Sequence, residues 1–485
     1  MLPDALRAAV DADRTRDAGS HFVDLVARYF AETGYGESAV SPTAGHPERR
    51  PEFDEPMPTD GRPLTDIVRR IEAEFLASAN RLSHPMYMGH QVAAPIPAAV
   101  WTEVVIAALN NSIAVSEMSP TGTAIEERVI RWMCDLAGYG AHSGGTLTSG
   151  GLEATHTALL AARAAIEPES WRRGIVGTPP VIVCGEHAHY AIARAAGELG
   201  LGTDSVRTVP SADWRMDASA LPATLDALRA EGRRVMAVVA TAGYTATGGF
   251  DDIEAIGAVC EARGLWLHVD GAHGASALFS PAHAARVRGI ARARTIAWDP
   301  HKMMLVPLAA GALLARDERD LSAAFEQQAP YLFHGMDGTR SPDQGTRSFM
   351  CSRRADALKV WVALQRHGSV GLGEMYAHLC GLATTLHALI AQRADFVALH
   401  VPESNILCFR WLPPDVDDEP TVDWLNLQLR ERYNASGRGW ITTTVLGGRR
   451  VLRVTLMNVR TQDQHLSALL EGLAAVGAGL IDEPA

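Results

Sequence analysis

Only two lysines, Lys302 and Lys359, stand among the 485 residues, although lysine and arginine together number 44. A chain that otherwise uses arginine keeps lysine where a guanidinium will not serve. Lys302 ends the run Trp298-Asp299-Pro300-His301-Lys302. The apolar stretch Met303–Ala315, 13 residues, follows it before Arg316. An amine handed into apolar surroundings sheds its charge and becomes a nucleophile, which arginine cannot do. A lysine on a surface loop is the plainer reading of the same residue.

Three other stretches carry residue types suited to a site. Thr148-Ser149-Gly150-Gly151-Leu152-Glu153-Ala154 leaves a β-rich run and enters a helical one. Glycines let the backbone approach a ligand, and a helix start offers free N–H groups and a positive dipole end, a seat for phosphate. Leu267-His268-Val269-Asp270-Gly271-Ala272-His273 places a carboxylate where an apolar strand runs out. Asp270 can pair there with a cationic ring nitrogen or a metal. Glu186-His187-Ala188-His189 follows the run Val181–Cys184, and one of its histidines can lie flat on a ring. Taken singly, these are a turn, a capped strand end and polar loop residues.

Two chemistries compete for them. H-x-H with H-x-D-x-x-H has the ligand types of a metal hydrolase, with His187, His189, His268, Asp270 and His273 around the ion. That reading leaves Lys302 and the glycine turn unexplained. A phosphate cradle, a carboxylate for a pyridinium nitrogen, a stacking histidine and a Schiff-base lysine are together what pyridoxal 5′-phosphate requires. The cofactor reading uses all four stretches and needs no metal.

The surrounding pattern says which elements position them. From 141 to 316, short β-rich runs alternate with helical runs. The strands are expected at Gly145–Thr148, Val181–Cys184, Val206–Val209, Val235–Ala240, Leu265–Val269, Thr295–Trp298 and Gly311–Ala315. Near-continuous apolar strands alternating with helices read as an α/β, mostly parallel sheet covered on both faces. Ligands in such sheets bind beyond the carboxyl ends of the strands, where all four stretches lie. Before this block, residues 1–34 read as one helix. Residues 35–63 read as a Pro- and Gly-rich arm, and further helices are expected over 64–79, 99–110 and 120–138. A helix over 355–366 follows the block, and the tail after 400 reads as a small α+β unit.

Composition bounds the rest. The mass is 52.0 kDa, with 47% hydrophobic and 21% charged residues, 43 glycines and 26 prolines. That excludes low complexity, which needs roughly 25–30% Pro plus Gly. A spanning helix needs about 20 apolar residues, more than the run at Met303–Ala315, so no membrane segment is expected. MLPDALRAAVDADRTRD has no apolar core of a signal peptide. Six cysteines without a C-x-x-C pair fit free thiols in a reducing compartment, hence the cytoplasm. A net charge of −12 argues against a nucleic-acid partner.

The order cradle, histidine, aspartate, lysine, with 32 residues from Asp270 to Lys302, resembles the pyridoxal-phosphate-dependent group II amino-acid decarboxylases. These include glutamate, aromatic amino-acid, histidine and cysteine-sulfinate decarboxylases. TSGGLEAT, HYAIARAAGELGLG, HVDGAH, DPHK and CSRRADALKVW carry the likeness, over about residues 64–475. The resemblance implies a fold-type-I enzyme. It would have an N-terminal helical and wrapping segment over 1–95, a cofactor-binding large domain over 96–350 and a small C-terminal domain over 351–485. It implies a homodimer with the active site at the interface, and an L-amino acid converted to its amine and CO2. Lys302 resembles the lysine that holds the cofactor, and Asp270 the aspartate on the ring nitrogen. Ala272 and His189 resemble the residues on the two ring faces. Gly151 and Leu152 match the phosphate N–H donors, Thr245 the threonine near the phenolic oxygen, and His301 the histidine beside the lysine. Arg453 in VLRVTLMN resembles an arginine that reads a substrate carboxylate. His84, Tyr87 and His90 in SHPMYMGHQ match a pocket-lining segment.

Four departures from the family stand out. Asp299 occupies a place often held by asparagine and must turn away from a phosphate or find a cation. Tyr244 replaces a usual threonine. Ala114 and Ser116 replace an aromatic and a tyrosine, leaving room or a void that Met86 or Met88 fills. Between Tyr331 and Cys351 there is no tyrosine to protonate the substrate carbon, so His334, water or a neighbouring subunit must do so. That last absence motivates an alternative, decarboxylation with oxidative deamination to an aldehyde. A cofactor-binding relative without catalysis is a third reading.

Overall fold

The structure is a computed structural model and describes residues 3–36, 38–41, 54–325, 341–413 and 416–481. The chain divides into two compact units. One joins Met1–His90, Thr384–Leu399 and Cys408–Ala485; the other joins Gln91–Ala383 and His400–Leu407. The expected single N-terminal helix is two, α1 (Asp4–Ala12) and α2 (Arg16–Gly34). Thr15 breaks it, because its hydroxyl accepts the Ala18 N–H and caps the second helix at 3.1 Å. Next comes α3 (Leu64–Arg70), which widens into a π turn over Ile71–Phe75 and then closes as a 3-10 turn through Ser78.

The larger unit is built on seven strands: β1 (Gly144–Thr148), β2 (Val181–Gly185), β3 (Val206–Val209), β6 (Val235–Thr241), β7 (Trp266–Asp270), β8 (Thr295–Trp298) and β9 (Gly311–Ala315). A two-residue hairpin, β4 (Ser211–Ala212) with β5 (Arg215–Met216), sits outside it. The order is β1-β9-β8-β7-β6-β2-β3. Only β9 runs against the rest. Every residue of β2, β7, β8 and β9 is buried, which is why those runs are mostly apolar on both alternating faces, His268, Asp270 and Thr295 apart. Around the sheet lie α4 (Pro97–Leu109), α5 (Pro120–Leu136), α6 (Gly151–Ile166), α7 (Ser170–Arg173), α8 (Ala191–Glu198), α9 (Leu221–Ala230), α10 (Ile253–Arg263), α11 (Arg319–Ala324) and the first part of α12 (Ala357–Ala391). Helix α6 packs alanines Ala154, Ala158 and Ala162 into one core with Ile182, Val239 and Leu313. Small side chains let its axis lie close to the strands.

Strand β1 is an edge, so the Leu147 N–H and C=O on its outer side need partners. A buried ion pair supplies both. Glu126 Oε1 accepts the Leu147 N–H at 3.0 Å, Arg353 Nη2 donates to Leu147 O at 2.7 Å, and the two side chains meet at 2.7 Å. The arginine of the CSRR stretch is therefore a strand clamp.

In the smaller unit, the sheet order is β10 (Phe396–Ala398), β11 (Ile406–Trp411), β13 (Arg449–Thr455), β12 (Thr442–Leu446). It is covered by α13 (Glu419–Ala435) and α14 (Asp463–Ile481). Helix α14 is long and apolar enough to cross a membrane by length and composition. Its Leu466, Leu469, Leu470 and Leu473 are buried in this unit.

Removing one partner of the β1 clamp strands a buried charge, which costs about 3–5 kcal/mol. Arg353→Met is expected to lose that much stability in urea unfolding. Arg353→Met with Glu126→Gln should recover part of it, because no carboxylate is then left alone. A single variant within 1 kcal/mol of wild type, roughly the size of a surface pair, would show that the clamp does not bear on folding.

Candidate active site

Because β2, β6, β7 and β8 are parallel, their carboxyl ends open on one edge of the sheet. Asp270 ends β7, and the loops that leave β2, β6 and β8 carry His189, Thr245 and Lys302. The register then adds the glycine turn. Thr148, the last residue of β1, faces Gly311, and Trp298, the last of β8, faces Ala312. The turn 149–151 and the loop 299–310 therefore emerge side by side.

Lys302 Nζ lies 3.1 Å from Asp299 Oδ2 with a fifth of its side chain exposed. Lys359 is wholly buried and held by Glu103 at 2.6 Å and Asp356 at 3.1 Å. Of the two lysines only Lys302 can reach a ligand. Asp270 is 8% exposed. Its Oδ1 accepts the Ala272 N–H at 3.3 Å. His189 accepts the Ala191 N–H on Nδ1 at 3.3 Å, which leaves its proton on Nε2. Burial lowers the His189 pKa, while Asp270 and Asp299 raise it and Lys302 lowers it, so all three groups face this imidazole. His301 accepts the Ala310 N–H on Nδ1 at 3.2 Å and turns Nε2 toward Asp299 Oδ2 at 3.5 Å. Its pKa is lowered mainly by burial. Thr245 is exposed on the turn after β6.

Gly151 opens α6 against this group. A Cβ there would stand 2.7 Å from Ala272 Cβ and 3.0 Å from Asp299 Oδ2, so only glycine allows the approach. The N–H groups of Gly151 and Leu152, in the first turn, have no intrahelical acceptor. A phosphate seat, a buried carboxylate, an imidazole and one available amine fit pyridoxal phosphate.

The five candidate metal ligands do not converge. His187 rests on the Trp214 ring at 5.6 Å. His268 meets Thr295 Oγ1 at 3.0 Å, and burial takes its pKa down to about 4. His273 meets Asn405 at 2.7 Å. Among the described residues no group of three such side chains could hold an ion, and the hydrolase reading falls. Tyr244 turns inward, its hydroxyl donating to Asp251 Oδ1 at 2.8 Å.

Tyr87, His90 and Arg453 belong to the smaller unit, together with the segment His84–His90. Met88 donates to Trp440 O at 2.9 Å and accepts from the Thr455 N–H at 3.0 Å. Tyr87 stacks on Trp440, with centroids 6.3 Å apart and planes 8° from parallel. Arg430, which carries no signal in the sequence, lies over the same ring at 5.5 Å. Arg453 Nη1 reaches Thr442 Oγ1 at 3.5 Å. Burial lowers the His90 pKa, and Arg453 and then Arg430 lower it further. His84 is buried, its Nδ1 accepting the Met86 N–H at 3.0 Å. In the larger unit, Ala114 O accepts the Gly345 N–H at 2.9 Å, and the Ser116 N–H donates to Asp343 at 2.9 Å. These contacts anchor the stretch after 340. Tyr331 and His334 lie outside the described residues.

Residues 47–412 match the pyridoxal-dependent decarboxylase conserved domain. The chain belongs to that family. It is 33% identical to L-2,4-diaminobutyrate decarboxylase of Rhizobium meliloti over 86% of this chain and 83% of that one. It is also 33% identical to human cysteine sulfinic acid decarboxylase, over 74% and 73%. The crystal structure of mouse CSAD in apo form superposes with a TM-score of 0.88 at 27% identity, covering 96% of this chain and 99% of that one. The protein is thus a pyridoxal-phosphate-dependent carboxy-lyase that converts an amino acid to its amine, with the expected fold.

Gly151→Ala tests the close start of α6 in this decarboxylase. The added methyl must push Ala272 or Asp299 aside, so cofactor affinity should fall at least about tenfold, roughly 1.4 kcal/mol. Fluorescence titration of the apoprotein measures it. Unchanged affinity would mean that α6 does not take the phosphate.

Proposed function

We infer that this decarboxylase acts on an L-amino acid with an acidic side chain, and that Lys302 is the residue that holds its cofactor. The single observation that carries the cofactor assignment is the contrast between the two lysines: Lys359 is locked in a buried ion pair, and Lys302 stands open beside Asp270, His189 and the start of α6.

Pyridoxal phosphate, when bound, supplies an electron sink for the bond to the departing carboxylate. The protein's part is placement and charge. The N–H groups of Gly151 and Leu152 and the dipole of α6 take the phosphate. Asp270 keeps the ring nitrogen protonated. Ala272 and His189 would hold the two faces of the ring, and Thr245 and His301 would lie at its edge. The family resemblance names Tyr87, His90 and Arg453 as the residues for the substrate. His90 is surrounded by arginine charge, and among the described residues Arg430 pairs with no carboxylate. An anionic side chain satisfies that cluster, and a diamine meets repulsion. The relatives named for acidic amino acids and cysteine sulfinic acid support the same choice. The family resemblance supports a homodimer with the site at its interface. Six free cysteines support a cytoplasmic location.

Borohydride reduction followed by mass spectrometry should place a pyridoxyl group on Lys302; finding it on Lys359 refutes the assignment. Asp270→Asn keeps shape but loses charge, and kcat should fall at least about 100-fold, roughly 2.7 kcal/mol. For the substrate, CO2 release should favour acidic amino acids over 2,4-diaminobutyrate. Arg430→Met should raise KM for the acidic substrate roughly tenfold, the worth of one charge-assisted hydrogen bond. Preference for the diamine would overturn the acidic reading.

A further inference from the structure

Asp299 is a nearly fully buried carboxylate, 1% exposed, standing at the seat of a phosphate. Its backbone N–H is tied to Ala272 O at 3.1 Å, so the residue does not swing away. Oδ2 is shared by Lys302 Nζ at 3.1 Å and His301 Nε2 at 3.5 Å. Oδ1 is buried without a hydrogen-bond partner. A Cβ on Gly151 would lie 3.0 Å from Oδ2 and 3.5 Å from Oδ1, which sets the whole carboxylate against the first residue of α6.

The other charged and titratable groups around it are known. His301 and Lys302 share its loop, Asp270 ends β7, and His189 follows β2. Glu153 caps α6 by accepting the Ser149 N–H at 2.7 Å. Among the described residues Lys302 is the only lysine or arginine at hydrogen-bond distance, and it is the amine that the cofactor must engage. When the phosphate arrives and Lys302 turns to the cofactor, Asp299 gains an anion and gives up its cation. Two neighbouring buried anions are strongly unfavourable, and such pairs share a proton.

We propose that Asp299 takes one proton from solvent when the cofactor phosphate binds, and that its carboxylic O–H then donates to that phosphate through the oxygen that is orphaned here. This rests on the reading that α6 seats the phosphate. The consequence is cofactor retention that weakens as pH rises. By linkage, uptake of one proton means about a tenfold loss of affinity per pH unit.

The test is calorimetry of the full-length apoprotein between pH 7.5 and 8.5, in buffers of different ionisation heat. It compares pyridoxal phosphate with pyridoxal, which has the same aldehyde but no phosphate. Wild type should take up about one more proton with pyridoxal phosphate than with pyridoxal. In Asp299→Asn the difference should vanish, and pyridoxal phosphate should bind more tightly at pH 8.5. The infrared spectrum of the holoenzyme should carry a protonated-carboxyl C=O band that is lost in Asp299→Asn. Equal affinity of wild type for the two ligands would overturn the phosphate seat itself. Tighter binding of the phosphate form without extra uptake, or uptake that survives in Asp299→Asn, would overturn the role of Asp299 alone. A wild type without the extra uptake, or without the protonated-carboxyl band, overturns the proposal even if the variant fails to fold.

Discussion

One antiparallel strand governs the geometry of the larger unit. Strand β9 lies between β1 and β8 and pairs with both, with Gly311 opposite Thr148 and Ala312 opposite Trp298. A parallel strand in that place would begin at the far edge of the sheet. Its reversed direction returns the chain after the lysine loop beside the end of β1. The glycine turn at 149–151 and Lys302 are thereby neighbours, although over 150 residues separate them. The closeness is tight enough that a Cβ on Gly311 would fall 2.5 Å from Gly150 Cα. The arrangement needs β1 to be firm, and β1 is an edge. The Glu126–Arg353 pair gives its outer backbone groups the partners that a further strand would have given.

The buried charges of this unit divide into two kinds. Glu126 with Arg353, and Lys359 with Glu103 and Asp356, are closed pairs, their cations shut away from solvent. Asp299 with Lys302 is an open pair. One carboxylate oxygen is unmatched, and the amine is partly exposed. Closed pairs fix strands and helices. An open pair can take a ligand, because its partly exposed amine is within reach of one.

Charge is also divided by location. The chain as a whole is acidic, at −12, yet Arg430 and Arg453 both bear on His90. Net charge says nothing about such a patch. It forms because the segment around Met88 hydrogen-bonds to Trp440 and Thr455, bringing Tyr87 and His90 to residues far along the chain.

The sequence by itself determined the strand–helix alternation, the residues at the strand ends and the family. Those follow from local rules: apolar runs make buried strands, glycine and helix starts offer anion seats, and a lysine before an apolar run is a candidate nucleophile. Strands β3, β8 and β9 fall where the apolar runs place them. Local rules failed where a competing contact decided. Thr15 split the first helix by capping. The apolar pattern gave no sign that β9 is reversed, since a strand buried on both faces looks alike in either direction. Spacing alone also allowed a metal site, which the structure removes by giving His268 and His273 other partners. Only the tertiary structure decided that Lys359 is spent in an ion pair, that Arg430 joins Trp440, and that Asp299 finds its cation in Lys302. Each of these depends on which side chains meet once the chain is folded, and hydrophobic periodicity carries no information about that.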